Sequence, residues 1–136
     1  MPFSEEHKLY FDTIFAEVSK AKNFESDAAA IASVIKNRAS RPERFGGSLA
    51  EVILRPNQFS SVGTQEFMKA QMGKFTPDEE DVYKQVVQIG SGVLRGSIED
   101  PTGGADHYFN PKLVKPSWAK KMKKVFDSGS HVFFKE

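Results

Sequence analysis

The chain has 136 residues, no cysteine and a formal net charge of +1. This length predicts a single domain over residues 1–136, with room for one hydrophobic core. Without cysteine, disulfides and thiolate metal sites are excluded, and the near-neutral charge gives no general attraction to nucleic acid. No stretch approaches the roughly 20 apolar residues that a membrane-spanning helix needs. We therefore expect a monomer that neither binds nucleic acid nor inserts into a membrane.

The start of the chain does not read as a secretory signal. The first residues, MPFSEEHKLYF, lack a basic segment followed by an apolar run. The sequence therefore predicts synthesis in the cytoplasm without a signal peptide, so that any role outside the cytoplasm needs another route of exit.

Helical periodicity occupies most of the first hundred residues. Ser4 fits the N-cap of a helix from about Glu5 to Lys20, and a second helix is predicted from after Ser26 to about Arg38. After the second helix, proline and glycine residues predict a loop over 41–47, and a capping box predicts a short helix over 48–54. Irregular chain is predicted over 58–63. Two further helices are predicted over 64–74 and 76–96.

Two short strands are predicted late in the chain. Residues 105–109 and 131–134 are rich in aromatic and β-branched side chains and could pair with each other. Asp100 to Gly103 fits a tight turn ahead of the first of them. The predicted fold class is therefore mainly α with a small β-hairpin, an α+β domain.

The end of the chain is basic. Between Pro111 and Glu136 there are seven lysines against Asp127 and Glu136 itself. Such a segment could face an anionic polymer, although a solvated helix face has the same composition. Ser117 fits the N-cap of this lysine-rich helix, which we expect to run to about Phe126.

Glu17 is the strongest candidate for acid chemistry. It follows Tyr10 by seven residues and Ile14 by three, so it shares the apolar face of the first helix. Burial of the carboxylate there would raise its pKa, as a general acid working near neutral pH requires. The alternative is that Glu17 lies at the edge of the apolar stripe and pairs with a lysine such as Lys20.

No second acid stands out beside Glu17. Glycosidases commonly use two carboxylates, and the other candidates are Asp27, Glu99, Asp100 and Asp106. Asp27 is more simply a first-turn acid of the second helix, and Asp100 is more simply a turn residue. The sequence therefore favours a mechanism that needs one acid/base carboxylate.

Other catalytic classes lack their characteristic spacings. The three histidines, His7, His107 and His131, form no compact set of metal ligands, so no metal site is predicted. No serine lies in a GxSxG context, which leaves a serine hydrolase without support. Several aromatic side chains could stack against sugar rings, namely Phe59, Tyr108, Phe109 and Trp118. Tyr108 and Trp118 are the better candidates because each also carries a polar group.

Four blocks of sequence, in chain order, resemble the cell wall hydrolase family named after the spore cortex-lytic, SleB-like enzymes. The first is TIFAE at residues 13–17, and the second is the alanine-rich AAAIASVIKNRA at residues 28–39. The third is PNQFS at residues 56–60. The fourth comprises DPTGGADHYFNP at residues 100–111, the Pro-Ser-Trp that follows, and GSHVF at residues 129–133.

This resemblance implies a fold similar to that of lysozyme-like transglycosylases. It also implies cleavage of the β-1,4 bond between N-acetylmuramic acid and N-acetylglucosamine in the glycan strands of peptidoglycan. Lytic transglycosylases of this kind use one glutamate, here Glu17, and need no metal or cofactor. The substrate-binding residues expected along the groove are Gln58, Phe59, Ser60, Thr102, His107, Tyr108, Asn110 and Trp118.

The chain departs from the family pattern just after Glu17. Family members usually have an Arg-Gly-Glu there, whereas this chain has VSKAKN at residues 18–23. This departure keeps open a non-catalytic wall-binding or virion structural protein that retains the fold. A hydrolytic muramidase on the same fold and a metal-dependent amidase using the histidines are further alternatives. The missing export signal suggests a phage endolysin or virion-associated lysin that reaches the bacterial wall through a membrane lesion or an injection apparatus.

Overall fold

The computed structural model describes residues 4–55 and 58–136 and confirms a mainly helical fold with a small sheet. The helices are α1 (Glu5–Val18), α2 (Phe24–Ala39), α3 (Pro42–Phe45), α4 (Leu49–Leu54), α5 (Gln65–Met72) and α6 (Pro77–Arg95). The strands are β1 (His107–Phe109), β2 (Lys123–Asp127) and β3 (Val132–Lys135), with a 3₁₀ turn at Ser117–Lys120.

Helix α1 is the centre of the core and packs against α2, α4, α5 and α6. Its apolar stripe, including Tyr10, Ile14 and Val18, is fully buried, and this burial is the main force that holds the helices together. Gly90 lets α6 approach α1 closely, since a Cβ there would lie 3.1 Å from ring atoms of Tyr10 and Phe11. The Tyr10 hydroxyl also donates a 3.0 Å hydrogen bond to the Gly90 carbonyl.

The sheet has the order β1-β3-β2, with both pairs antiparallel. The predicted pairing of the first and last strands is confirmed, and Tyr108 lies opposite Phe133. The predicted lysine-rich helix is wrong, because only the 3₁₀ turn forms after Pro116 and the chain then enters β2. Pairing with β3 gives the backbone of residues 123–127 its hydrogen bonds, and the exposed lysines protect this edge strand from further pairing.

Three local details differ from the sequence predictions. Residues 42–45 form the short helix α3 instead of a loop, with Pro42 in its first turn and Phe45 buried. Helix α2 begins at Phe24, earlier than predicted. The capping box at α4 is only half formed. The Ser48 hydroxyl accepts from the Glu51 amide as expected, but the Glu51 carboxylate accepts from the Gly47 amide instead of the Ser48 amide.

Within residues 4–55 and 58–136, none of the helices combines the length and the apolar character needed to cross a bilayer.

Candidate active site

Glu17 lies on the last turn of α1, where the helix leaves the core and opens onto a groove. Its side chain is half-buried, and its Oε1 accepts a hydrogen bond from the Tyr108 hydroxyl of β1. Lys20 does not pair with it; the Lys20 ammonium lies 3.5 Å from Glu66. The alternative in which Glu17 pairs with Lys20 is therefore not what the structure shows.

The environment of Glu17 favours the protonated acid. Desolvation by the surrounding protein raises the pKa of Glu17 above its ordinary value, and the negative charge of Asp27 acts in the same direction. The hydrogen bond from Tyr108 and the proximity of His131 lower the pKa and offset only part of this rise. A larger share of Glu17 molecules therefore carries a proton near neutral pH than an exposed glutamate would.

Tyr108 is fixed in place by the sheet. Its ring stacks on Phe133, which lies opposite it on β3, at a centroid distance of 5.4 Å. Burial raises the pKa of the Tyr108 phenol well above its ordinary value, and the neighbouring Glu17 adds to the rise. The phenol therefore keeps its proton and remains a donor to the Glu17 carboxylate.

A buried hydrogen-bond cluster supports this pair from behind. Asp27 of α2 is fully buried, and its carboxylate accepts from His131 Nδ1 at 2.8 Å and from the Ser128 hydroxyl. Since a carboxylate only accepts, Nδ1 carries the proton of the bond. The His131 ring meets the Tyr108 ring edge-on at 5.3 Å. The first-turn position predicted for Asp27 is correct, but its side chain points inward.

The central cavity of the groove has a volume of about 520 Å³. Four predicted residues line it beside Glu17, namely Gln58, Ser60, Tyr108 and Asn110. The sequence had not pointed to Arg38 or Glu66, which also line it. Arg38 is almost wholly buried, and its guanidinium donates to the Asp106 carbonyl at 2.7 Å and to Gln58 at 3.2 Å. This network holds one wall of the groove.

Two further cavities adjoin the central one. The first, which we call the aromatic arm, measures about 690 Å³ and is lined by His107, Tyr108, Phe109 and Trp118. The second, which we call the basic arm, measures about 460 Å³ and contains Lys20, Lys22 and Lys112. Each arm shares lining residues with the central cavity, so the three form one continuous groove.

Two predicted binding residues lie away from the groove surface. Phe59 is buried in the core beneath Arg38, and the guanidinium carbon of Arg38 lies 5.2 Å from the centroid of the Phe59 ring. Thr102 is also buried, where its hydroxyl donates to Asp100 at 2.6 Å and accepts from the Ala105 amide at 2.9 Å. Pro56 and Asn57 of the third sequence block lie outside the described residues.

Asp100 holds the loop that leads into β1. Its carboxylate accepts from Asn37 of α2 and from the amides of Thr102 and Gly104. Burial opposes ionisation, but these hydrogen bonds outweigh it and hold the pKa of Asp100 below its ordinary value. The turn interpretation of Asp100 agrees with this structure.

One cluster where β1 begins and β3 ends has metal-binding residue types. The ligand atoms of Asp106, His107 and Glu136 lie within 4.8 Å of one another. Arg41 approaches Asp106 at 3.0 Å, and Arg44 approaches Glu136 at 3.1 Å. Because these arginines already balance the two carboxylates, we interpret the cluster as an ion-pair network that joins Asp106 and Glu136 to α3 and the residue before it.

The family of the chain follows from comparison with known proteins. Residues 23–134 match the model of a family described as Cell Wall Hydrolase. A spore cortex-lytic enzyme of Halalkalibacterium halodurans is 31% identical over 104 residues, which cover 76% of this chain and 27% of that protein. The chain thus spans about a quarter of the length of this curated relative.

Two solved structures share the fold. The catalytic domain of the germination-specific lytic transglycosylase SleB from Bacillus anthracis is 21% identical, with a TM-score of 0.66 over 99% of this chain and 100% of that one. The catalytic domain of the Bacillus cereus SleB protein is 25% identical, with a TM-score of 0.66 over 98% of this chain and 93% of that one. The match to the family model begins at residue 23, after Glu17, whereas both structural matches span almost the whole chain. The resemblance inferred from the four sequence blocks is confirmed: the chain belongs to the cell wall hydrolase family.

Proposed function

We propose that this chain cleaves the β-1,4 bond between N-acetylmuramic acid and N-acetylglucosamine in peptidoglycan, as a lytic transglycosylase with Glu17 as its single general acid/base. The observation that carries the proposal is the position of Glu17 in the wall of the central cavity, with a raised pKa and a fixed phenol donor. Membership of the cell wall hydrolase family supports peptidoglycan as the polymer bound there.

The proposed reaction uses Glu17 twice. Its carboxylic acid first donates a proton to the glycosidic oxygen, and the bond from that oxygen to the muramyl C1 breaks. The resulting carboxylate then accepts the proton of the muramyl C6 hydroxyl as that oxygen bonds to C1 and closes a 1,6-anhydro ring. Water is not consumed, and Glu17 recovers its proton. Burial of Glu17 favours the first step, and the Tyr108 hydrogen bond stabilises the carboxylate formed in it.

The groove offers polar contacts near Glu17 and aromatic faces further away. Gln58, Ser60 and Asn110 line the central cavity and can bond sugar hydroxyl and acetamido groups. His107 and Trp118 lie together in the aromatic arm with their ring centroids 5.0 Å apart, and they can pack against a sugar ring. Phe59 and Thr102 act indirectly, by supporting Arg38 and the loop before β1.

The identity of the products tests the proposal. Purified sacculi are digested, and the soluble fragments are analysed by mass spectrometry. We expect fragments that end in 1,6-anhydromuramic acid, each one water lighter than its hydrolytic counterpart. Binding to sacculi without any release of fragments would contradict the proposal and favour a non-catalytic wall-binding protein.

A hydrolytic muramidase is a second candidate because of one observation. Glu66 of α5 lines the same cavity as Glu17, and a second carboxylate is what a glycosidase uses to activate water or to form a covalent intermediate. In the structure Glu66 faces the ammonium groups of Lys20 at 3.5 Å and Lys69 at 3.8 Å. Reducing muramic acid ends in place of anhydro ends would assign the chain to this class.

The hydroxyl of Tyr108 is expected to set the upper pH limit of activity. Tyr108→Phe removes a hydrogen bond that lowers the pKa of Glu17, so the pKa should rise further. The alkaline limb of the pH–rate profile should move to higher pH, while the rate at the optimum falls because the carboxylate formed in the reaction loses its donor.

Tyr83→Phe is the matched control. It removes a phenol that donates to Asp12 on another face of α1, outside the groove, and the alkaline limb should not move. An unchanged profile in Tyr108→Phe would mean that this hydroxyl does not control the protonation of Glu17.

A further inference from the structure

The basic arm joins the groove directly at Glu17. Its cavity of about 460 Å³ lies between the end of α1, the segment from Lys20 to Asn23, and the turn from Ser128 to His131. Glu17, Asn110 and His131 line both this arm and the central cavity. A group attached to a sugar held beside Glu17 can therefore extend into the arm without crossing a barrier of protein.

The charge of the arm is strongly one-sided, although the whole chain has a net charge of only +1. Three lysines line it, and Glu17 is the one acidic residue among the described residues that do so. Lys20 has a distant partner in Glu66 at 3.5 Å. In the described part of the chain, the ammonium groups of Lys22 and Lys112 have no ion-pair partner. The arm thus presents cationic donors that the fold does not neutralise.

The sugars of the glycan do not account for this charge. N-acetylglucosamine is neutral, and so is N-acetylmuramic acid once its lactyl group is amide-linked to a peptide. The peptide of peptidoglycan carries free carboxylates and hangs from the muramyl C3, beside the bond that is cleaved. Carboxylates are the natural partners of lysine ammonium groups, and their attraction in an exposed cavity is modest for each pair but adds over several pairs.

We propose that the basic arm binds the carboxylates of the acidic peptide carried by the muramyl sugar, so that the substrate is peptide-bearing glycan and not bare glycan. This inference rests on the proposed cleavage at Glu17. Asn23 and Asn110 lie in the same arm and can bond the amide groups of such a peptide. The lysines act as binding and specificity residues, and the bond-breaking step stays with Glu17.

The test separates peptide charge from peptide bulk. Intact sacculi are compared with sacculi whose peptide carboxylates have been converted to amides with a water-soluble carbodiimide and an amine. We expect the wild-type protein to release fragments from intact sacculi about ten times faster than from the blocked ones at low salt. The ratio should shrink toward one in 1 M salt, where charges are screened beyond about 3 Å.

Lys22→Glu/Lys112→Glu reverses both unpaired charges and should cleave the two substrates at similar rates. Lys74→Glu/Lys84→Glu is the control, because it makes the same change in net charge at exposed positions away from the groove and should keep the wild-type ratio. Circular dichroism would verify that each variant is folded.

Equal cleavage of intact and blocked sacculi by the wild-type protein would overturn the inference while leaving the proposed function in place. An equal loss of discrimination in the control would also overturn it, since the effect would then be one of overall charge. Failure of the wild-type protein to cleave either substrate would instead contradict the proposed function itself.

Discussion

Glu17→Gln is expected to lower the rate of fragment release from sacculi by about a thousandfold. Glutamine has nearly the same shape and keeps an acceptor oxygen for the Tyr108 hydroxyl, but its amide cannot act as the acid that protonates the glycosidic oxygen. The loss should therefore appear in the rate and not in binding to sacculi, which a pull-down would measure in parallel. Wild-type rates in this variant would remove Glu17 from the mechanism.

The same substitution is expected to stabilise the fold at neutral pH. Because the pKa of Glu17 is raised in the folded protein, the folded state holds more protons than the unfolded one between the ordinary and the raised pKa. Stability then falls as the pH rises through that interval, and the loss persists above it. Glutamine does not ionise, so the variant avoids this loss. Urea unfolding at pH 4 and pH 8 should show a larger gain at pH 8.

Glu5→Gln provides the matched control for both measurements. Glu5 lies on the same helix but is exposed in its first turn, far from the groove. Activity should equal that of the wild-type protein, with at most a few tenths of a kcal/mol lost from the interaction with the helix dipole. A thousandfold loss in Glu5→Gln as well would show that helix α1 is generally sensitive to substitution, and would not support a special role for Glu17.

The parts of the fold that the sequence predicted well are those with local signals. Thr76 is the N-cap of helix α6, where its hydroxyl accepts from the Glu79 amide and the Glu79 carboxylate accepts from the Thr76 amide. Gly96 caps the other end of the helix in the left-handed conformation. Such contacts lie within a few residues of each other and can be recognised without knowing the fold. The segment from Lys123 to Asp127 has no comparable signal, because its structure depends on the backbone of β3.

The same distinction applies to the candidate site. Helical spacing singled out Glu17 as a candidate, since its neighbours on α1 define a buried face, and the resemblance of TIFAE to the family added the catalytic role. The bond between Asp27 and His131 joins residues 104 positions apart, so no local pattern indicates it. One signal was present: Asp27 precedes Ile31 by four residues and Val34 by seven, which places it on the buried face of α2. Thr102 was expected in the groove because its type suits a ligand, but the turn uses its hydroxyl.

Asp27→Ala is expected to destabilise the protein by about 3 kcal/mol. Asp27 is fully buried and accepts from two buried donors, His131 Nδ1 and the Ser128 hydroxyl, which lie in and next to the turn between β2 and β3. Alanine leaves both donors without their acceptor in a site where water has little access. Because a domain of this size has about 5–15 kcal/mol of stability in total, the change should be obvious in the urea midpoint.

The contribution of Asp27 to the free energy of unfolding should depend on its acceptor oxygens and not simply on the volume of its side chain. Asp27→Asn keeps one oxygen for either donor and should lie between the wild-type protein and Asp27→Ala in stability. Asp81→Ala, at an exposed position of α6, is the control and should change stability by less than about 0.5 kcal/mol. A loss in Asp27→Ala as small as that of the control would mean that the cluster does not hold the turn. Since the His131 ring packs against Tyr108, loosening this cluster should also weaken the hydrogen bond to Glu17 and slow cleavage in the molecules that remain folded.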